Sequence, residues 1–505
     1  MSVSIHSLSA EVLQNITLLA SDTLGPPCEW SALTRCCHSF RRKLDVPAMH
    51  ARLFSQKFQV PAEAHHLLPI HARDELQRRF AALNFFRKVE SLGSAPAFTD
   101  ALWVAYVMLK AEAPRQMNVD QLLWAGLPSL LLRYVQHHLV GQSHGWPAVN
   151  ETTSLVVALL WLLSSEESVA TESATTREAV MERIRPYVLA AFKYPVSSTP
   201  WRSTSESASS QGNFTSQLEE EELTVWHASA GTIVIAPTRQ VHYFGQRTVH
   251  VPAVPIYSIL CYFTRLDMLS PMFPVHLSAA SPPKGPRRED VEHFIKECRT
   301  PFEPWNSKPM MNTSNDALSR SLNQPYFPGS LSGRWKGSSI IPNINDYMHW
   351  KEESEAPEAM ETFCRQPLYL TLQEHFCYEP VQQEHCLPET WVEWEDEIQV
   401  ESWSRTYKTH RGERPPQKEI FDVLVTGQTD DPYATAWGHF KFVGRIRMSD
   451  GLVVLRRESV AGLGTTILRG YMSSRQNFCG RYRAIDNGNS ALEWEAAFSL
   501  CKMLD

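Results

Sequence analysis

The stretch GSLSGRWKGSSIIP (residues 329–342) decides the fold of the C-terminal part, because the sequence pattern changes there. Before it, apolar residues recur at helical spacing; after it, short segments alternate apolar and polar residues. In one of these segments, Phe440, Phe442, Gly444, Ile446 and Met448 fall on one face. Such alternation is typical of strands that bury one side, so the region predicts an antiparallel β structure.

Nine segments carry this strand pattern, at hairpin spacing. They span residues 338–342, 367–372, 391–404, 419–427, 439–448, 452–458, 465–472, 477–485 and 492–500. The last segment can pair with the first, which would close the sheet and remove both exposed edges. We therefore expect residues 325–505 to fold as a unit, as an antiparallel β barrel or sandwich.

Gly333 and Trp335 stand at the start of this region, and their Gly-x-Trp arrangement resembles the first-strand signature of lipocalin-like barrels. The resemblance implies a structural role for both residues, with the tryptophan closing the barrel floor. Small barrels are either filled by their own side chains or enclose a ligand. The sequence leaves both alternatives open, and it names no ligand-binding residue.

The preceding residues, 61–310, predict an all-α middle domain, with dense helical apolar faces between 70 and 196. Two polar segments, 164–176 and 197–222, are poor in large apolar residues and predict mobile loops. At roughly 100–200 residues per domain, a chain of 505 residues corresponds to about three domains. The expected fold class is therefore multidomain α+β.

Composition narrows the class of protein. The net charge of -7 gives no case for a nucleic-acid partner, which would favour a basic surface. The longest apolar run, Leu155–Leu163, is far shorter than the about 20 residues that cross a bilayer, and the N-terminus lacks a signal-peptide pattern. Ten scattered cysteines do not indicate a disulfide scaffold. We expect a protein of the cytoplasm, the nucleus or both, with no membrane partner.

The N-terminal stretch WSALTRCCHSF (residues 30–40) looks like a metal or redox site at first sight. Adjacent cysteines do not have the spacing of a structural zinc site, in which two to four residues separate the thiolates. A helical apolar stripe explains the stretch better, and it consists of Trp30, Leu33, Cys37, Phe40 and Leu44. Cys37 then acts as a small apolar residue.

Residues 1–60 predict two further short helices. In the first, which Ser9 can cap, Leu8, Val12 and Ile16 share a face and Leu13 lies beside it. The other covers residues 45–58. Three helices in about 50 residues are too few for a confident independent core. Their surplus apolar surface predicts a partner protein.

The order of these parts resembles the F-box motif. The residues that match it are Leu8, Glu11, Val12, Leu13 and Ile16, then Leu33, Cys37 and Phe40, then Leu44, Asp45, Ala48 and Met49. Two departures are Ser9 where the family has proline, and a longer link between the first two parts. The β-rich region also looks like the C-terminal domain of fungal F-box proteins.

The resemblance implies a three-helix F-box unit in residues 1–60 that docks on Skp1, which links it to a cullin–RING ubiquitin ligase. The chain would then be a non-catalytic adaptor without cofactor, and residues 325–505 would select an unknown protein substrate. The Skp1-binding residues would be Leu8, Val12, Leu13, Ile16, Leu33, Cys37, Phe40 and Leu44. The alternatives are a ligand-binding lipocalin-like barrel with N-terminal helices that are only structural, and helices that merely cap the middle domain.

Other motifs are weaker. Ser143 lies in a Gly-x-Ser-x-Gly sequence, but a helical pattern precedes it, whereas a nucleophile elbow follows a strand. His375, Cys377, His385 and Cys386 could be imagined around zinc, yet their spacing fits no common pattern, so we expect no metal. The acidic stretches 351–361 and 391–401 are interpreted as solvated faces rather than catalytic carboxylates.

Overall fold

The structure is a computed structural model of the chain. It describes residues 8–61, 64–89, 96–110, 115–139, 145–196, 237–269, 286–302, 326–379, 388, 391–394, 396–400, 404–411, 418–448, 451–462, 464–474, 476–485 and 494–503. Within these ranges, the N-terminal part is mainly helical and the C-terminal part contains an antiparallel β barrel. The expected α+β class and the barrel are therefore confirmed.

Four short helices form the N-terminal unit, defined here as residues 8–58. They are α1 (Ala10–Ala20), α2 (Cys28–Cys36), α3 (His38–Leu44) and α4 (Pro47–Lys57). Helix α1 begins after Ser9, whose side-chain oxygen accepts the N–H of Val12, as the sequence predicts. Helix α4 begins with a proline, whose fixed backbone angle suits a first helical turn.

The prediction of one helix through the stripe from Trp30 to Leu44 is wrong, because the chain breaks at Cys37. Cys37 has an extended backbone, and its Sγ accepts the N–H of Phe40 at 3.4 Å, so it caps α3. The apolar stripe persists across the break: Phe40 and Leu44 are buried, and Leu33 and Cys37 are half-buried. The spacing indicated which residues turn inward and gave no signal of the interruption.

A bundle of helices forms the middle part. It contains α5 (Leu68–Lys88), α6 (Pro96–Lys110), α7 (Gln116–Trp124), α8 (Leu127–His138), α9 (Glu151–Leu162), α10 (Glu166–Thr171), α11 (Ala174–Leu189), α12 (Val254–Leu266) and α13 (Arg288–Glu297). Helix α9 is apolar on nearly all sides and packs between α6, α8 and α12. It therefore lies at the centre of the bundle.

The prediction of a loop at residues 164–176 is wrong, since this segment contains α10 and the first residues of α11. Ser165 and Ser168 accept each other's backbone N–H in a capping box, and Ser173 caps α11. The serines that made the segment resemble a loop are its helix caps. The second predicted loop, 197–222, lies outside the described residues.

The middle part is also not all-α, because β1 (Thr238–His242) and β2 (Gln246–His250) form an antiparallel hairpin. Its turn contains Gly245, which adopts the positive φ of 110° that favours glycine. The buried Glu75 on α5 accepts the N–H of Phe244 at 2.9 Å, so the hairpin is fixed to the bundle. A glycine between two short segments of strand-like sequence is a hairpin signal, and the sequence analysis missed it here.

The C-terminal part contains eleven described strands and two short helices. They are β3 (Gly333–Pro342), α14 (Ile344–Glu352), β4 (Thr362–Cys377), β5 (Val392–Glu393), β6 (Glu397–Val400), β7 (Arg405–Thr409), β8 (Asp422–Gln428), α15 (Asp431–Trp437), β9 (Phe440–Ile446), β10 (Val453–Ser459), β11 (Thr465–Met472), β12 (Asn477–Ile485) and β13 (Ala496–Lys502).

Eight of these strands close into an antiparallel barrel in the order β3, β13, β12, β11, β10, β9, β8, β4 and back to β3. Strand β13 pairs with β3 from Ala497 opposite Ile340 to Lys502 opposite Trp335. The predicted closure between the first and last strand is confirmed. The third predicted segment, 391–404, contributes β5 and β6, which extend outward from β4 through β7.

Alternation along the strands separates an inner from an outer barrel face. The paired residues Trp335 and Leu370 face inward, and the registers carry this face around the barrel to Phe498. The inner face also includes Gly480, where an added β-carbon would lie 2.0 Å from the carbonyl oxygen of Arg469. Glycine at such a position lets neighbouring strands bend closely enough to close a narrow barrel.

The helical bundle covers the outer face of β12 and β13. The buried Arg481 donates to the carbonyl oxygens of Val188, Tyr187 and Tyr194 at 2.6, 2.7 and 3.1 Å. A buried guanidinium with this many acceptors ties the barrel to α11 and to the residues after it. The core of the bundle and the interior of the barrel belong to one continuous apolar cluster.

Candidate functional site

Helix α1 presents apolar side chains to solvent. Val12 and Ile16 are each 44% exposed, and Leu19, one turn further, is 88% exposed. Leu13 and Thr17 occupy the opposite side of α1 and are buried. The spacing of four and then three residues places Val12, Ile16 and Leu19 on one helix face, which we call the α1 face.

A groove continues this apolar surface between α1, α4 and α5. It has a volume of about 440 Å³ and is lined by Leu18, Ala51, Arg52, Ser55, Gln56 and Leu68. Gln56 donates to the carbonyl oxygen of Leu18 at 2.9 Å, which fixes the end of α1 against α4. Ile70, at the start of α5, is also strongly exposed. Apolar surface of this kind, with polar residues at its border, is typical of a protein-binding site.

The sequence-predicted partner residues divide into two groups. Val12 and Ile16 lie exposed on α1, and Leu8, Leu33 and Cys37 are half-buried. Leu13, Phe40 and Leu44 belong to the internal core. The members of this second group therefore hold the helices in place and do not line the surface themselves.

The other side of the N-terminal unit is attached to the middle bundle. Gln121 on α7 accepts the N–H of Gly25 at 2.8 Å. The guanidinium carbon of the buried Arg79 on α5 lies 4.6 Å from the ring centre of Phe54 and 5.0 Å from that of Phe58. The N-terminal unit thus caps the bundle with one face and leaves the α1 face open.

Basic side chains surround the N-terminal unit. Arg35, Arg41, Arg42 and Arg52 are all exposed, and only Arg41 lies within 4 Å of an acidic partner among the described residues, Asp45 at 3.8 Å. Of these, Arg52 lies beside α1, where its Nη2 donates to Asn15, and α1 itself carries the exposed Glu11.

The barrel end around Trp335 is closed by the segment 326–332. Trp335 is 1% exposed, and its Nε1 donates to the carbonyl oxygen of Leu331 at 2.7 Å. The buried carboxylate of Glu374 accepts the hydroxyl of Tyr326, the N–H of Gly329 and both the N–H and the hydroxyl of Ser332. The position of Trp335 agrees with a closing role for this residue.

Glu374 is the residue at this end that sequence reasoning missed. It stands within a strand of alternating apolar residues, and a single carboxylate there gives no hint of four donors from another segment. Lys502 completes the closure, since its Nζ donates to the carbonyl oxygen of Ser330 at 2.8 Å and lies 5.9 Å from the ring centre of Trp335.

At the opposite barrel end, three buried polar atoms lack a hydrogen-bond partner among the described residues, and the Arg457 guanidinium carbon lies 3.6 Å from the ring centre of Phe440. Arg457 and Thr466 face each other across β10 and β11, and Trp494 packs edge-on to Tyr482. Among the described residues, Arg457 Nε, Thr466 Oγ1 and Trp494 Nε1 are buried and have no hydrogen-bond partner. Burial lowers the pKa of Arg457 to about 10, and the nearby Tyr482 raises it only in part. Unpaired buried donors are uncommon and call for an explanation such as a bound molecule.

The histidines and cysteines that were considered as zinc ligands do not assemble in the described part of the barrel. His375 lies between Thr409 and Thr426, whose hydroxyls are 3.1 Å from Nδ1 and 2.9 Å from Nε2. Both ring nitrogens are therefore engaged, and burial lowers the pKa of His375 to about 4. Three or more metal-ligating side chains meet nowhere in the described residues. His385, Cys386 and Ser143 lie outside those residues.

Comparisons with known proteins return no relative: neither a family model, nor a curated protein, nor a solved structure matches the chain. Among the described residues, every helix is too short or too polar to span a membrane.

Proposed function

We propose that the chain is a substrate-recognition adaptor of a Skp1–cullin–F-box ubiquitin ligase that works in the cytoplasm, the nucleus or both. The observation that carries this proposal is the α1 face, an exposed apolar surface on the helix that resembles the start of the F-box motif. Exposure of apolar residues to water is unfavourable, and their burial in a protein interface lowers the free energy.

In this proposal the N-terminal residues have two roles. Val12, Ile16 and Leu19 contact Skp1 directly, with Leu8 and Leu33 at the border. Leu13, Phe40 and Leu44 position them, because they anchor α1 and α3 in the core. The barrel, which is attached to α11 through Arg481, carries the substrate.

The test is capture of the full chain by purified Skp1. Val12→Asp together with Ile16→Asp should abolish capture, because each introduces a charge into an apolar interface. Val460→Asp is the matched control, since Val460 is equally apolar and exposed but lies in a turn of the barrel. Unchanged capture of the double variant, or no capture of the original chain, would show that the chain does not use Skp1 in this way.

A second candidate function is a barrel that binds a small anionic ligand, with N-terminal helices that are only structural. The unpaired donors of Arg457, Thr466 and Trp494 favour it. Native mass spectrometry of the full chain with dodecanoate would then show a one-to-one complex that is lost in Arg457→Met. Absence of a complex with the original chain would argue against this function.

A further inference from the structure

A three-stranded sheet, β5–β6–β7, extends from the C-terminal end of β4 and lies against the outside of the barrel. Its inner face contains Ile398, Val400 and Tyr407, which form a small core with Leu424 and Val443 of the barrel. The outer face carries the alternate residues, which remain exposed or half-buried. The sheet is therefore anchored on one side and open on the other.

The open side exposes a tryptophan directly after the end of its edge strand, β5. Trp394 is 61% exposed and Val392 is 39% exposed, and β5 is the last strand in the sheet order of the described residues. Sheet edges are usually protected by charged residues in place of apolar ones. Here an apolar indole is exposed beside the edge strand, where a charged side chain is usual, and this indicates a contact surface.

Carboxylates surround this tryptophan. Asp396 is exposed and Glu397 is half-buried, whereas Glu393 pairs with the inward-facing Ile398 and accepts the Nε1–H of Trp391. In the sequence from 389 to 401, six residues are acidic and none is Lys or Arg. Neighbouring strands supply Lys408 opposite Glu397, and Arg411, which lies 3.3 Å from Asp396. The local excess of charge remains negative.

Charge selects among the classes of partner. A nucleic acid or an anionic membrane would be repelled, and a second copy would bring like charges together. Lys and Arg side chains, in contrast, are attracted both by carboxylates and by the face of an indole. The chemistry on this surface therefore fits a basic polypeptide.

We infer that Val392, Trp394, Asp396 and Glu397, which we call the acidic tryptophan surface, bind a segment of a partner protein rich in Lys or Arg. This inference rests on the proposed adaptor function, in which the basic segment is the part of the substrate that the chain recognises. The described residues of the acidic stretch 391–401 then include a binding surface in addition to a solvated face.

Fluorescence anisotropy of the full chain tests this inference. The probes are a labelled peptide of alternating lysine and serine and its counterpart with glutamate for lysine. The lysine peptide should bind saturably and the glutamate peptide should not. Trp394→Ala should weaken binding roughly tenfold, since it removes a cation–π contact together with apolar area. Asp396→Asn with Glu397→Gln should also weaken it, and urea unfolding of this variant should match that of the original chain.

The matched control is Glu352→Gln with Glu355→Gln, two exposed acids in a stretch without tryptophan, and it should leave binding unchanged. Absence of saturable binding, equal binding of the glutamate peptide, or equal weakening by the control would overturn the inference. Skp1 capture, measured on the same variants, separates the two proposals. Peptide binding without Skp1 capture would refute the adaptor function alone, and Skp1 capture without peptide binding would refute this inference alone.

Discussion

At the scale of single residues, Trp335 and Trp394 have opposite environments in the same part of the chain. Trp335→Ala should destabilise the protein by about 3–5 kcal/mol, because it leaves a cavity and frees the carbonyl oxygen of Leu331. Trp394→Ala removes a largely exposed ring and should change the free energy of unfolding by less than about 0.5 kcal/mol. Urea unfolding of both variants measures the difference. Equal effects would contradict the burial of Trp335.

His375 provides a pH-dependent prediction at the same scale. Its folded pKa of about 4 lies below the ordinary value of 6.5, so the unfolded chain binds its proton more readily. Stability should therefore fall as pH decreases from 6.5 towards 4, by about 2 kcal/mol at pH 5. His375→Gln keeps hydrogen-bonding atoms without this titration. Its loss of stability between pH 7 and pH 5 should be smaller than that of the original chain, and an equal loss would exclude His375 as the cause.

At the scale of elements, the helix break at Cys37 is the clearest difference between sequence and structure. Cys37→Ser keeps a capping acceptor and should preserve stability, whereas Cys37→Ala should cost about 1 kcal/mol. Cys36→Ser serves as the control, because Cys36 is exposed and bonds only within its own helix. Thermal unfolding of the three variants measures the effect. A similar loss in Cys37→Ser and Cys37→Ala would contradict the cap.

The elements also show how far the sequence could be interpreted. The barrel strands could be predicted because one buried face imposes an alternation of apolar residues, as in the pairing of Phe442 and Gly444 with β10. The helices at 164–176 could not, since serine is as common in loops as at helix caps. For the candidate site, spacing identified α1, but only burial distinguishes exposed Val12 from its neighbour Leu13.

At the scale of the whole molecule, the bundle and the barrel share a core, so we expect them to unfold together. Arg481→Ala would leave the carbonyl oxygens of Tyr187, Val188 and Tyr194 without their donor, which should cost roughly 3 kcal/mol. Arg35→Ala, at an exposed position, is the control. Circular dichroism of helices and tryptophan fluorescence should give one coincident transition in urea. Two separate transitions would show that the parts are independent.

The shared interface also changes the expectation that residues 325–505 fold as a unit. In such a fragment, the outer face of β12 and β13 would lose its cover, and Arg481 would lose its acceptors. The sequence could not reveal this contact between the bundle and the barrel. Strands buried on both faces show only that something covers them, and no local pattern identifies the helix that does so.

The pairing of β13 with β3 has a consequence for how the protein is made. A ribosome delivers β3 long before β13, so a nascent chain that has reached β12 holds two open strand edges that have no partner yet. Such edges can join those of other nascent chains. Early termination of translation before Ala496 should therefore produce insoluble polypeptide, whereas delivery of one further strand closes the eight-stranded barrel and pairs both of these edges.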